Sequence, residues 1–399
     1  MTALPAAEAA PATRRPRLYE IDVVRILTFA CVIAVHVTSH TVSSDDYGLN
    51  GLLALVHFTR QVFFALTTFV LLYGQLARPV SMKAFWPKRF LLVGVPYVVW
   101  STIYYVAANL YHPHGTVGSL IGNYFYHLVT GTAWYHLYFL LVTMQVYLLV
   151  PVIIWFVKRT RGHHRAVLIV SFVLQLAIMA FYKYGPDAAI GPYEKLVFAS
   201  YEFFIIAGAI AADHAAPFLA WIRAHRGLIG WIVIAGAVFM LSVYLGQHWL
   251  LGQSLYSAGT PLQPATMIWA VCVGLGFLAV GTWWADRRNP DGRFAHAVDR
   301  VSDRSFGIFL SHPLVLWVLL WIGFDWVPDT IQKPWLTLVA YIVVVLVAYV
   351  IADIARRTPL SLPLAGRRFT RRTSTRAAAA SSPERSPRAE RPDPPASAS

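Results

Sequence analysis

Apolar positions in this chain gather into long unbroken runs; neither the alternation of a strand nor the narrow stripe of a soluble helix dominates. A bilayer-spanning helix needs about 20 mostly apolar residues. Ten segments qualify: roughly 18–40, 53–76, 88–111, 134–157, 166–184, 196–213, 227–248, 263–285, 305–323 and 334–355. The predicted fold class is an all-α integral membrane protein with ten transmembrane helices. The stretch 117–131, "VGSLIGNYFYHLVTG", is short and aromatic, and is expected to lie along the interface or re-enter. Gly and Pro at 185–192 and the polar stretch 252–264 mark loops.

Composition agrees with lipid as the solvent. Only 13% of the 399 residues are charged and 57% are apolar, against about a quarter charged in soluble domains. Cys31 and Cys272 both fall in apolar spans and read as small core residues, with no disulfide framework and no metal knuckle. Net charge is +14, and its distribution favours a membrane surface over nucleic acid as the partner, so no nucleic acid is expected. The excess lies between spans and in the Arg-, Pro- and Ser-rich tail 356–399, which is expected to be disordered and to face anionic lipid. Residues 1–17 are expected to be disordered too, with 18–355 as the transmembrane domain and no cleaved signal peptide. Alternate loops carry Arg78, Lys83, Lys88 and Arg89, then Lys158, Arg159, Arg161 and Arg165, then Arg223, Arg226, Arg287, Arg288, Arg293, Arg300 and Arg304. The opposite loops carry Lys183, Lys195 and Lys333 and no Arg. By the positive-inside rule both termini are expected in the cytoplasm, in a multi-pass protein of the plasma membrane.

Candidate chemistry begins in the first span. Between Arg25 and His36 lie ten residues of which only Thr28 is polar. A charge at the centre of a span costs about 2.5–3.5 kcal/mol on insertion scales, so it needs a partner or a purpose. At 100° per residue Arg25 and His36 fall about 20° apart around the helix and about 16 Å apart along it. Asp22 and His40 share their stripe, with Asp22 placed to neutralise Arg25 in part. An interfacial Asp22–Arg25 anchor with a hydrogen-bonded core histidine would also account for the stripe. Two more intramembrane groups favour a shared polar cavity, lined by helices 1, 2, 3 and 9: Arg60 in the second span and His312, followed by a Pro, in the ninth.

The blocks that carry these residues resemble a known family. "EIDVVRILTFACVIAVHV", "RQVFFALTTFVLLYG", "KRFLLVGVPYVVWS", "WYHLYFLLVTMQVYLLVP" and "SFGIFLSHPLVL" are similar, in order, to the acyltransferase-3 family of integral-membrane O-acyltransferases. Two features depart from the pattern: Thr67-Thr68 stands where many members read Ser-Gly, and residues 356–399 are not expected to form the esterase-like domain that some members carry after the last span. The resemblance implies transfer of an acyl group, usually acetyl, from acyl-CoA to a hydroxyl of a glycan, glycolipid or secondary metabolite, with no permanently bound cofactor.

The residues fit that chemistry. Polyanionic CoA needs a basic mouth, which Arg25, Lys88 and Arg89 are placed to form. His36 is the candidate base for the acceptor hydroxyl, or a transient acyl carrier; the sequence does not separate these routes. The oxyanion needs a donor, Arg60 or His312. Glu202 is placed to orient a histidine or to pair with Arg60, or to form a purely structural ion pair. Trp134, Tyr135, His136 and Tyr138 form an aromatic cluster near the outer interface, either a membrane belt or a sugar platform. No metal is expected: His36 and His40 lack a third ligand, and His112, His114, His163 and His164 read as solvated loop residues. The competing class is a polysaccharide or small-molecule exporter, which would need a polar path but no histidine above a phosphate-sized basic mouth.

Overall fold

The computed structural model describes residues 17–111, 116–186, 191–323 and 333–369. With no water in a bilayer to satisfy backbone groups, apolar runs of this length close their hydrogen bonds within helices. The order is α1 (Tyr19–Thr41), α2 (Tyr47–Val56), α3 (Thr59–Ala77), α4 (Met82–Tyr111), α5 (Val117–Thr130), α6 (Tyr138–Arg159) and α7 (His164–Tyr184). Two 3₁₀ turns, Gly191–Leu196 and Phe198–Tyr201, lead into α8 (Glu202–Asp213) and α9 (Ala215–Ala224). Then come α10 (Arg226–Leu251), α11 (Leu255–Ala258), α12 (Pro264–Arg287), α13 (Arg293–Gly323), α14 (Lys333–Arg356) and α15 (Ser361–Ala365). The described residues contain no strand.

Nine helices among the described residues are long and apolar enough to cross a membrane, with α2 and α3 counted as one. A tenth candidate is the pair Phe198–Asp213 and Ala215–Ala224, bent by 97°. The 196–213 segment therefore differs from the continuous span expected: its first turn is 3₁₀, and the chain folds over at His214. Polar residues explain the irregular entry. Gln175 Oε1 accepts from the Phe203 amide at 3.2 Å and its Nε2 donates to Ser200 O at 3.2 Å, so side chains take backbone partners that a regular helix would use. The second span likewise starts earlier than 53, as α2, and breaks at His57-Phe58, where the His57 Nδ1–H donates to Gly259 O at 2.5 Å.

α1 sits centrally, packed against α3, α12, α13 and α14. α3 and α8 approach each other closely: a Cβ on Gly208 would overlap the Ala65 carbonyl, so only glycine permits the approach. α7, α10 and α14 form the outside, with Ile169, Val170, Trp231, Val238 and Val347 exposed to the apolar surroundings. No residue of α5 is buried. Its Thr116 N-cap and the left-handed Gly131 that ends it define a separate 14-residue helix, too short to span.

The basic tail does not begin at 356. Arg356 ends α14, and residues 357–369 turn back as α15 to lie against α4, α13 and α14. The Trp100 Nε1–H donates to Leu364 O at 3.2 Å, which fixes the turn inside the bundle. The expectations for residues 1–16 and 370–399 lie outside the described residues.

Candidate active site

His36 sits on the fifth turn of α1, half-buried, in a chamber of about 30 Å³. Its walls include His57, Arg60, Phe63, Tyr135, His136, Tyr138, Phe139 and Phe309. Ring centroids lie 4.7 Å from His36 to Tyr135 and 5.3 Å from His36 to His312, with His136 and His312 5.8 Å apart. Three helices, α1, α3 and α13, and one turn thus bring His36, Arg60, His312 and His136 together.

The environment of His312 follows from Pro313. A proline lacks the N–H that would bond the carbonyl four residues back, here Phe309. His312 fills that vacancy: its Nδ1–H donates to Phe309 O at 2.7 Å. The opened turn is wedged by Tyr104, whose hydroxyl donates to Leu310 O at 2.7 Å and accepts from the Leu314 amide at 3.1 Å. Those are the two groups that a regular helix would have joined to each other. With Nδ1 carrying the proton, a neutral His312 presents a buried, unpartnered Nε2 lone pair. It is a proton acceptor in that tautomer, which argues against its use as an oxyanion donor.

Trp134, Tyr135 and His136 are placed differently from the expectation. The segment expected to start a span at 134 is a non-helical turn before α6, and it tucks inward. Gly131 makes this possible: at φ 71° it reverses the chain, and a Cβ there would lie 2.8 Å from the Tyr138 Cα. Trp134 stacks on Tyr104 at 5.0 Å and His136, only 2% exposed, stands edge-on to the same ring. An outer aromatic belt is excluded for these residues. Trp134 Nε1, the Tyr135 hydroxyl and both His136 nitrogens are buried without a hydrogen-bond partner. Each such group costs about 1–3 kcal/mol unless a ligand or water completes it, so the cluster is polar capacity held in reserve.

Arg60 lies over the Tyr138 ring at 5.6 Å, and Lys195 lies over the same ring at 5.7 Å. Among the described residues no carboxylate is within ion-pairing distance of Arg60. Glu202 does not pair with it and does not orient a histidine; its Oε1 accepts from Ser171 at 2.8 Å between α7 and α8. The carboxylate whose charge acts on Arg60 is Glu194, on the 3₁₀ turn before α8. Burial lifts the Glu194 carboxyl above its ordinary range while Arg60 and Lys195 pull it back, and burial lowers the Lys195 ammonium. His40, the other end of the stripe, is exposed and its Nδ1–H donates to His36 O at 2.8 Å.

At the end of the bundle that carries the Arg-rich loops, a second cavity of about 1150 Å³ opens. Its walls carry Arg25, Lys88, Arg89, Arg356, Arg367 and Arg368 against one carboxylate, Asp303. Arg25 donates to Ser302 Oγ at 3.2 Å and stands 3.7 Å from Asp22, whose other oxygen takes Arg17 at 2.8 Å. Asp22 also accepts from Ser302 at 2.6 Å. Asp22 is thus the buried hub that holds Arg25, and it lines neither cavity. Thr67, at the departure from the Ser-Gly pattern, faces the basic cavity, while Thr68 donates back to Phe64 O at 3.0 Å.

The two cavities meet at a ring of four aromatics. Phe63 and Phe139 line both, Phe29 lines the basic cavity, and Phe309 lines the histidine chamber. Neighbouring ring centroids lie 5.3 Å (Phe29–Phe63), 4.4 Å (Phe63–Phe139), 5.6 Å (Phe139–Phe309) and 5.5 Å (Phe309–Phe29) apart. This collar separates the cation-lined cavity from the histidine-lined chamber.

Sequence reasoning missed His57, Tyr135's place beside His36, Glu194, Ser302 and the three tail arginines. His57 had a signal, since it precedes Arg60 by one helical turn. The tail arginines had none, because nothing in "RRTPLSLPLAGRRF" sets it apart from the basic stretch that follows. His164 is also corrected: it is buried as the first residue of α7, whereas His163 is exposed. His112 and His114 lie outside the described residues.

The acyltransferase-3 family model, described as an acyltransferase domain, matches residues 18–353. No curated protein and no solved structure matches the chain. The match runs from α1 into α14 and so contains the histidine chamber, the collar and the part of the basic cavity that carries Arg25, Lys88 and Arg89, while Arg356, Arg367 and Arg368 lie beyond it. This chain belongs to the acyltransferase-3 family: it is a multi-pass membrane acyltransferase.

Proposed function

We propose that the protein transfers a short acyl group, acetyl foremost, from acyl-CoA to a hydroxyl of a glycan, glycolipid or secondary metabolite. In this reading it sits in the plasma membrane with the basic cavity open to the cytoplasm, where acyl-CoA is found. The observation that carries it is the joining of a six-cation cavity to a histidine chamber across one aromatic collar. Arginine forks suit phosphates, so Arg25, Arg356, Arg367 and Arg368, with Lys88 and Arg89, hold the CoA phosphates. The flexible pantetheine arm then carries the thioester to the collar. A chamber of about 30 Å³ supports a small acyl group, since a single water needs about 10–15 Å³ on that measure.

In the chamber His36 takes the proton of the acceptor hydroxyl as its oxygen attacks the thioester carbonyl. The carbonyl oxygen gains the negative charge, and the Arg60 guanidinium stabilises it. The adduct collapses with cleavage of the C–S bond, and the CoA thiolate regains the proton from His36. A His36 acyl carrier gives the same products in two steps. The His312 lone pair and the unpartnered groups of Trp134, Tyr135 and His136 bind and orient the acceptor.

Mass spectrometry of envelope glycans and secreted metabolites, with and without the gene, tests this reading. The expected result is one compound class lighter by one acyl mass in the deletion strain, restored by the wild-type gene. His36→Ala should fail to restore it while accumulating normally in the membrane, with turnover down by about 10²–10⁴-fold. An unchanged acylation profile in the deletion strain, or near-normal turnover by His36→Ala, removes the corresponding part.

A further inference from the structure

A second histidine cluster lies outside both cavities, where the turn between α6 and α7 meets the elbow between α8 and α9. Ligand atoms of His164, Asp213 and His214 all lie within 4.8 Å of one another. His164 is only 8% exposed, and its Nε2–H donates to Val157 O at 2.9 Å. That bond assigns the lone pair to Nδ1, which faces His214 Nε2 at 2.8 Å. An imidazole held by its far N–H on a backbone carbonyl is oriented as metal-bound histidines are. The Asp213 carboxylate is held by Arg161, through Nε at 3.1 Å and Nη2 at 2.6 Å, and its side chain is 8% exposed.

We propose that His164, His214 and Asp213 bind one divalent transition-metal ion, best matched by Zn(II), which ties the α6–α7 turn to the α8–α9 elbow. Two imidazole nitrogens and a carboxylate oxygen suit tetrahedral zinc, with water as the fourth ligand. Zinc–nitrogen bonds of about 2.0–2.1 Å put tetrahedral nitrogens about 3.3 Å apart. The present pair must therefore open by about half an ångström. The exposed His214, at the end of a short helix, can rotate by that much. The hydrogen bond between the rings is given up on binding: His214 carries its proton on Nδ1 instead, and its Nε2 joins His164 Nδ1 on the metal. Asp213 and Arg161 also line a groove of about 570 Å³, which supplies the entry path.

The elbow explains what the ion would do. The chain bends by 97° between Asp213 and Ala215, and among the described residues the cross-links there run only to Arg161 and His164. A metal would replace a shared proton with coordinate bonds at that point and fix the broken span that packs against α3.

The test uses full-length protein in nanodiscs, purified through a tag free of histidine, stripped with chelator and then dialysed against Zn(II). Elemental analysis should find one zinc per chain, and Co(II) in its place should give the absorption of a tetrahedral N₂O₂ site. His214→Ala removes a direct ligand and should weaken zinc binding by more than the roughly 10–100-fold typical of losing only a ligand's hydrogen-bond partner, and zinc should no longer raise its Tm. His163→Ala, an exposed neighbour, should bind as the wild type does. His164→Ala should behave like His214→Ala; since His164 is buried and its loss risks misfolding, the exposed His214 variant decides. No zinc on the wild type, or undiminished zinc on His214→Ala, overturns the site and leaves a hydrogen-bonded histidine pair. Both readouts are independent of acyl transfer, so either result stands whatever the acceptor.

Discussion

A neutral histidine takes a proton only through the nitrogen that lacks one, and in α13 a proline makes that choice. Pro313 frees the Phe309 carbonyl, His312 occupies it, and Tyr104 holds the gap open between Leu310 and Leu314. Tyr104→Phe keeps the ring that stacks on Trp134 but removes the wedge. We expect a stability loss of about 1–2 kcal/mol and a fall in kcat larger than any change in KM, because His312 loses its orientation. Thermal melts beside steady-state kinetics check this; unchanged kcat would show that α13 keeps its opening without the hydroxyl. At Arg25 the question is anchor against ligand. Its side chain keeps 25% exposure and faces the basic cavity while Asp22 and Ser302 hold it from behind. Arg25→Lys should weaken acyl-CoA use modestly, since the charge stays and the fork is lost. Arg25→Ala should raise the KM for acyl-CoA about tenfold or more, at about 1.5–3 kcal/mol for a charged hydrogen bond. Unchanged donor dependence in the alanine variant would leave Arg25 as a structural partner of Asp22. The Arg25 and His36 pair was legible in one line of sequence because helical spacing fixes their relation. Tyr104 was not, because its partners lie about two hundred positions away along the chain.

Elements gain their roles from where they break. α8 is a short helix because its first turn gives up backbone bonds to Gln175, and α2 parts from α3 where His57 bonds a distant carbonyl. Length and hydropathy alone make both segments look continuous. α15 shows the reverse case, a basic stretch with no apolar period that is ordered by contact. Gly366, at φ 63°, lies so close to the Leu92 carbonyl that a Cβ there would overlap it, and Arg367 reaches Asp303 at 3.2 Å. The double variant Arg367→Ala, Arg368→Ala should raise the KM for acyl-CoA several-fold with little change in kcat. Exposed cations contribute up to about 1 kcal/mol each, and salt screens them. Donor titrations at low and high ionic strength test this. A wild-type enzyme as salt-insensitive as the variant would take the tail out of donor binding.

At the scale of the molecule, charge asymmetry sets an expected orientation. Arginines crowd one end, where Arg223, Arg226, Asp286 and Glu20 form one ion-pair cluster and Arg304, Arg356, Arg357 and Arg367 close on Asp303 and Asp353. Single cysteines at positions 41–50 and 252–260, in a background lacking Cys31 and Cys272, should react with membrane-impermeant reagents in intact cells. Cysteines at 160 and 290 should react only after permeabilisation. The inverse pattern would turn the basic cavity away from cytoplasmic acyl-CoA and remove the donor route.

Solvent class, the approximate place of most spans, the charge asymmetry of the loops and the Arg25–His36 stripe follow from the amino-acid order alone, because each rests on contacts within one helix or on partition between lipid and water. Family membership was legible for the same reason, as five blocks in order over most of the chain. Tertiary packing alone decided the inward turn of Trp134 to His136, the Tyr104 wedge, the aromatic collar, the folded start of the tail and the His164–His214 pair. Each of these joins residues that no periodicity relates. A buried polar group takes whatever partner the fold brings within about 3 Å, and only the packed bundle settles which one that is.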